Sequence, residues 1–212
     1  MPLRTTLLRD VIFKIVFCQP VILMAFLNAV LEHSGDRVIL EVEVLNPQVS
    51  PREFLIEKVA ILDVKAKDQA GRRYNIELQL QSESYYIERS LYYLSGLYRE
   101  QLEPGESYAQ LKRTVGISVL NFALFPTRQS CHSRFRFRED DGSELSDILE
   151  IHYLELPKVQ LDSDLETPLA RWLHFLRYSE LYEDYEQLPR SLQNDKEITM
   201  ALESKTKAYA SA

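Results

Sequence analysis

The sequence predicts an α/β protein, a mixed central sheet flanked by helices with a helical extension at the C-terminus. Three observations lead there. "DRVILEVEVL" and "ILDVKAKDQAGRRYNIELQLQ" alternate apolar and polar residues at strand period. "SESYYIERSLYYLSGLYREQL" repeats its apolar residues at steps of three and four, the spacing of a helix. The apolar run "TVGISVLNFAL" follows it, so a strand–helix–strand passage is expected, which usually joins parallel strands.

In order along the chain, residues Leu7 to Leu31 read as helix, with Pro20 starting a second segment because proline suits a first helical turn. A strand is expected over Asp36 to Leu45, broken by "NPQVSP". Two more follow, Val59 to Lys67 and Tyr74 to Gln81, around the turn residues "DQAG". A helix from Ser84, as cap, to Leu102 and a buried strand from Thr114 to Leu124 complete the core. Phe135–Arg138 and Ile148–Leu156 are weaker strand candidates. Thr167 caps a helix from Pro168 to about Leu188, and another begins near Asp195. Residues 1–160 are read as the α/β domain and 161–212 as its helical extension.

The bulk composition is that of an ordinary globular protein, 45% apolar and 27% charged over 212 residues. Cys18 and Cys131 are far apart and suggest neither a disulfide framework nor a zinc site. "VILMAFLNAVL" is too short to span a bilayer and lacks a cleavage site after it, so no membrane is expected and the cytoplasm is the simplest location. A net charge of −7 argues against a general nucleic-acid binder, although a local basic strip would serve. No GxxxxGK loop or GxSxG elbow is present, which leaves nucleotide hydrolysis and serine-esterase chemistry unsupported.

The informative stretch is the hairpin. Glu77 and Gln79 share one strand face, as do Asp63 and Lys65 on the preceding strand. If Asp68 pairs with Arg72, the loop is Gln69-Ala70-Gly71, a type I turn with a bulge that wants glycine in the left-handed position. Asp63 then lies across from Glu77, with Cβ atoms about 4.5–5.5 Å apart. A loop of two or four residues would send the acids to opposite faces. Two carboxylates so close repel unless a cation lies between them, and magnesium, or manganese in its place, suits such a pair. Gln79 could orient water or a phosphate oxygen. The same residues also suit a plain solvent face, balanced by Lys65 and Lys67.

Taken together, "RDVIFKIVF", "FLNAVL", "ILDVKAKDQAGRRYNIELQLQ", "IERSLYYLSGLY", "PGESYAQLKRTVGISVLNF", "EIHYLELPK" and a helix containing Trp172 resemble, in order, the Rpn-type recombination-promoting nucleases and transposases of the PD-(D/E)xK superfamily. The resemblance implies a restriction-endonuclease-like core of helix, three strands, helix and strand, and metal-dependent cleavage of DNA. Asp63 matches the metal-binding aspartate and Glu77 the acid of the (D/E)xK element. Gln79 stands where the superfamily has lysine, and Leu62 replaces the proline. An amide hydrogen-bonds but carries no charge, so Lys65 is a candidate for the missing cation.

Asp10 and Lys14, four apart on the first helix, belong to a "DxxFK" element at the site's edge or form an exposed ion pair. Arg89 is a candidate phosphate contact. Arg134, Arg136 and Arg138 recur at strand period and suit a DNA backbone, or a solvated face. His33, His132, His152 and His174 have no ligand spacing. The expected partner is DNA, with a homodimer as the assembly to test. A noncatalytic interaction module on the same scaffold is the alternative.

Overall fold

Hydrophobic patterning along the first helices sets the architecture of one side of the molecule. The computed structural model describes residues 6–32, 35–46 and 63–210. Helices α1 (Asp10–Phe17) and α2 (Pro20–Leu31) are split where expected, with Pro20 in the first turn of α2. Strands β1 (Val42–Val44), β2 (Val64–Asp68) and β3 (Arg73–Gln79) follow. Helix α3 (Tyr86–Arg99) leads to β4 (Thr114–Leu120), then β5 (His132–Arg138) and β6 (Glu144–Glu155). Helices α4 (Pro168–Tyr178), α5 (Arg190–Gln193) and α6 (Lys196–Ala210) close the chain.

The six strands form one mixed sheet in the order β1-β2-β3-β4-β6-β5. β3 and β4 are parallel across the α3 connection, and β4 and β6 are parallel as well, while the other pairs are antiparallel. One face carries Val64, Ala66, Ile76, Val115, Ile117 and Val119 into the main core, shared with α1, α2, α4 and α6. Trp172 of α4 anchors that core, its ring centroid 5.7 Å from Phe26 and 5.9 Å from Phe17. The opposite face is covered by α3, whose Tyr86 and Leu94 pack with Leu120, Ile151 and Tyr153 in a second, smaller core.

The C-terminal helices are therefore built into the main core. Ile198, Ala201 and Leu202 of α6 are buried in it. The Tyr209 hydroxyl accepts from the Thr6 amide at 3.1 Å and donates to the Thr6 carbonyl at 3.0 Å. Lys205, fully buried, donates to the carbonyls of Ser179 (2.7 Å) and Tyr182 (2.5 Å). The helix α4 ends at Tyr178 and does not reach Leu188, and the ammonium holds two carbonyls in the turn that follows it.

Other departures from the sequence reading have local causes. The strand expected over Asp36–Leu45 shrinks to Val42–Val44 because side chains take over its backbone hydrogen bonds. Asn28 both donates to and accepts from Ile39 at 2.9 Å, and Gln69 bridges the Val38 carbonyl with the Leu40 and Glu41 amides. Ser84 does not cap α3; Tyr85 holds that position in the left-handed conformation (φ 63°) without a side-chain cap bond. β4 stops at Leu120, and Phe122 and Leu124 fold over the second core. β5 and β6 are longer than the sequence suggested. Residues 59–62 of the expected second strand lie outside the described residues, as does His33.

Among the described residues no single helix is long and apolar enough to cross a membrane. α1 and α2 pass that test only together, bent by 97° at their junction, and both contribute buried residues to the main core.

Candidate active site

The β2–β3 hairpin is fixed by its loop. Gly71 takes φ 79°, its amide donates to the Asp68 carbonyl at 2.9 Å, and the Asp68 amide donates to the Arg72 carbonyl. This is the three-residue loop with glycine in the left-handed position. Asp68 anchors it, accepting from the amides of Ala70 and Arg72, the Arg72 guanidinium and the Tyr74 hydroxyl. The register runs Lys67↔Arg73 through Val64↔Ile76, so one further step sets Asp63 opposite Glu77. Asn46, just beyond β1, holds the strand end: its amide donates to the Asp63 carbonyl (2.9 Å) and accepts from the Lys65 amide (2.7 Å).

Glu77 is buried, at 3% exposure, on the sheet face beneath α3. The hydroxyl groups nearest it in register belong to Ser118 and, one strand on, Tyr153. Arg89 of α3 reaches down to donate to Glu77 Oε1 at 2.8 Å and to Gln79 Oε1 at 2.7 Å. Its other nitrogen, Nη1, pairs with Glu83, and the guanidinium lies over the Tyr86 ring, 5.0 Å from the centroid. Gln79 is engaged at both ends, since its Nε2 donates to the Gln81 carbonyl (2.9 Å) and to Glu83 Oε1 (3.1 Å). The amide fastens Arg89 in place.

Burial pushes the Glu77 carboxyl above its ordinary pKa, with Asp63 and Glu83 adding to the rise and Arg89 opposing it. Asp63, half-buried, is also raised, first by burial and then by Glu100, against the lowering charges of Lys65 and Lys14. Beside Asp63 opens a cleft of about 570 Å³ whose walls include Lys65 and Asn75 on the hairpin and Tyr92, Tyr93, Gly96 and Arg99 on α3.

Residues 7–211 match the family described as PD-(D/E)XK nuclease family transposase. The chain belongs to this family. No curated protein and no solved structure matches it. The α/β fold, with a six-stranded mixed sheet flanked by helices, is that of a PD-(D/E)XK nuclease.

Nucleases of this family generally use divalent metal ions, and the donor chemistry here suits one. Two facing carboxylates, both disfavoured as anions by burial, gain from a cation that neutralises them. Among the described residues no group of three or more His, Cys, Asp or Glu side chains converges as a metal site. Magnesium does not require one, since it commonly uses one or two protein carboxylates and keeps its waters.

The remaining candidates separate into near and far. Lys14 is buried, and its charge reaches Asp63, which places the "DxxFK" lysine at the site's edge; Asp10, partly exposed on the same helix, is one turn away. Lys65 lines the cleft with Asp63. Arg134, Arg136 and Arg138 do not join them. Arg134 and Arg136 pair with His152 and Glu150 of β6, which puts them on the opposite sheet face at the far edge. Arg136 is bound to Glu150 and Glu144, and Arg138 to Glu144, so two of the three guanidinium groups are held in ion pairs. His132, His152 and His174 are side chains with internal partners: His132 to His152 (2.8 Å), His152 to Glu150 (2.6 Å) and His174 to the Tyr182 hydroxyl (2.8 Å).

The sequence reading named Arg89 only as a phosphate contact and missed Glu83, Tyr86 and Asn46. Glu83 and Arg89 are six apart across a helix start, a spacing no periodicity rule flags. Asn46 reads simply as part of a strand-breaking "NP".

Proposed function

We propose that the protein is an endonuclease that hydrolyses DNA phosphodiesters with a divalent ion, magnesium or manganese, held by Asp63 and Glu77. The observation that carries this reading is the facing pair of carboxylates, Glu77 buried beside a fixed guanidinium and Asp63, half-buried, on the wall of a cleft. A divalent ion bound there would neutralise charge on the scissile phosphate and acidify a water nucleophile. Asp63 and Glu77 supply the anionic oxygens, Glu77 keeping Oε2 for this purpose while Oε1 is held by Arg89.

Arg89 takes over the electrostatic part of the lysine that Gln79 replaces. A guanidinium stays charged at any working pH, so it can stabilise developing negative charge but cannot exchange a proton. Gln79 and Glu83 hold it in place, and Lys65, on the cleft wall, provides a second cation for the incoming phosphate. With an ion held by Asp63 and Glu77, water activation would not need a basic side chain at position 79.

The test is nicking of supercoiled plasmid by the purified chain in magnesium. Asp63→Ala and Glu77→Ala should both abolish it, and Arg89→Met should slow it by about 100-fold, the usual cost of removing one preorganised charge donor. Undiminished cutting by Asp63→Ala would overturn the assignment. The Arg89–Glu77 ion pair also favours a second reading, a noncatalytic module in which arginine has replaced the metal. Calorimetric titration decides between them: magnesium binding that disappears in Glu77→Ala supports the nuclease, and no binding at millimolar metal supports the module.

A further inference from the structure

The cleft beside Asp63 has features that the phosphodiester chemistry does not use. Tyr92 projects from α3 at 76% exposure, with Tyr93 beside it at 38% and their ring centroids 6.0 Å apart. Both rings line the cleft, so they offer it an open aromatic wall. Gly96 lies one turn further along the same helix and lines the same cleft. Glycine inside a helix is less stable than alanine, so a structural reason is expected for it. None is found in the fold, because a Cβ added at Gly96 meets nothing within 4 Å. The missing side chain keeps the cleft open.

The third feature is independent of α3. Asn75, on β3 between Arg73 and Glu77, is 8% exposed and lines the cleft from the sheet side. Its Oδ1 is buried without a hydrogen-bond partner. A buried acceptor left bare costs free energy, so a donor brought by a ligand would be favoured there. The volume, about 570 Å³, lies in the range of small-ligand sites.

A flat π-system for the tyrosines, an edge donor for Asn75 and a phosphate for Lys65 and Arg99 are together the description of a nucleotide. We propose that the cleft holds one unpaired nucleobase of the substrate strand, so that the enzyme acts on single-stranded DNA or on a strand locally unpaired. The inference rests on the nuclease reading for the identity of the strand and specifies its form. Every DNA base has a face to stack and an N–H on its pairing edge, so the pocket tolerates any sequence. Inside a duplex those edge donors are already paired, and reaching the cleft costs unstacking.

The experiment measures binding apart from cutting. A fluorescein-labelled mixed-sequence strand of about 15 nucleotides, within the site sizes of single-strand binders, is titrated with the full chain carrying Asp63→Asn, in EDTA. Anisotropy should show the single strand bound at least about 10-fold more tightly than its blunt duplex. In that background Tyr92→Ala should weaken single-strand binding by about 5- to 100-fold, as loss of one stacking platform does. Gly96→Leu should fill the cleft and abolish the single-strand preference without lowering the melting temperature, since leucine is the better helix former.

Equal binding of strand and duplex, or Gly96→Leu binding like its parent, would overturn the inference. Plasmid cutting by the wild-type chain that persists alongside such a result would leave the nuclease reading intact. A single-strand preference lost in Gly96→Leu, in a chain that never cuts, would keep the cleft and discard the chemistry.

Discussion

Two glutamates, Glu77 and Glu150, are buried to nearly the same degree, at 3% and 2% exposure, and each touches arginine. They behave in opposite ways. Burial raises Glu150 too, but His152, Arg113 and Arg136 outweigh it and hold the carboxyl down at about 2. Glu77 has one arginine, shared with Glu83 and Gln79, and stays above its ordinary range. A carboxylate saturated with donors is a structural group. One left short of positive charge, beside a second acid, is a group that a bound cation would stabilise.

The sharpest way to break this comparison is to neutralise each glutamate in turn. Glu150 has its folded pKa depressed below 4.5, so its stabilisation is present above that value and is lost as pH falls toward 2. Glu150→Gln should therefore destabilise at pH 7, by about 3–5 kcal/mol, the usual cost of breaking a buried ion pair. Glu77 has its folded pKa raised, so its contribution is favourable at low pH and lost as pH rises through the folded value. Glu77→Gln should be neutral or stabilising at pH 7, although the proposed chemistry requires it to end cutting. Chemical denaturation of the two variants reads both signs, and equal losses would erase the distinction.

A smaller effect sharpens the same point. Magnesium should supply what Glu77 lacks, raising wild-type stability by about 2.7 kcal/mol at a hundredfold excess over Kd. Thermal melts of Asp63→Asn should show no such rise, and those of Glu150→Gln should keep it. The smallest effect concerns the surface. Arg138, half exposed and paired with Glu144, should cost no more than about 1 kcal/mol when changed to alanine. The Arg138→Ala chain should also bind DNA as before; a clear loss would restore the β5 arginines as contacts.

The hairpin was legible because its determinants are local. Gly71 selects the loop, the loop selects the register, and the register brings Asp63 to Glu77. Periodicity was enough for α1, α2 and the β3–α3–β4 passage for the same reason. What stayed hidden depends on side chains meeting backbone across the fold. Asn28 and Gln69 replace a ladder that strand propensity alone would extend, and Lys205 reaches back to carbonyls in the turn just after α4. Arg89 was visible as a basic residue, but its three partners come from two strand positions and a turn, and no spacing rule joins them. Arg136 and Arg138 read as a plain basic row because the acids that pair with them lie on another strand, β6.

The tie between Thr6 and Tyr209 spans 203 residues, and α6 packs directly on α1. During synthesis the first helices must therefore wait, their apolar sides unfinished, until α6 has left the ribosome. Such a chain cannot ripen from its N-terminus onward, and the acid pair is completed on a sheet whose rear wall is made after it. A cell making it has a built-in delay between starting the protein and releasing a folded one.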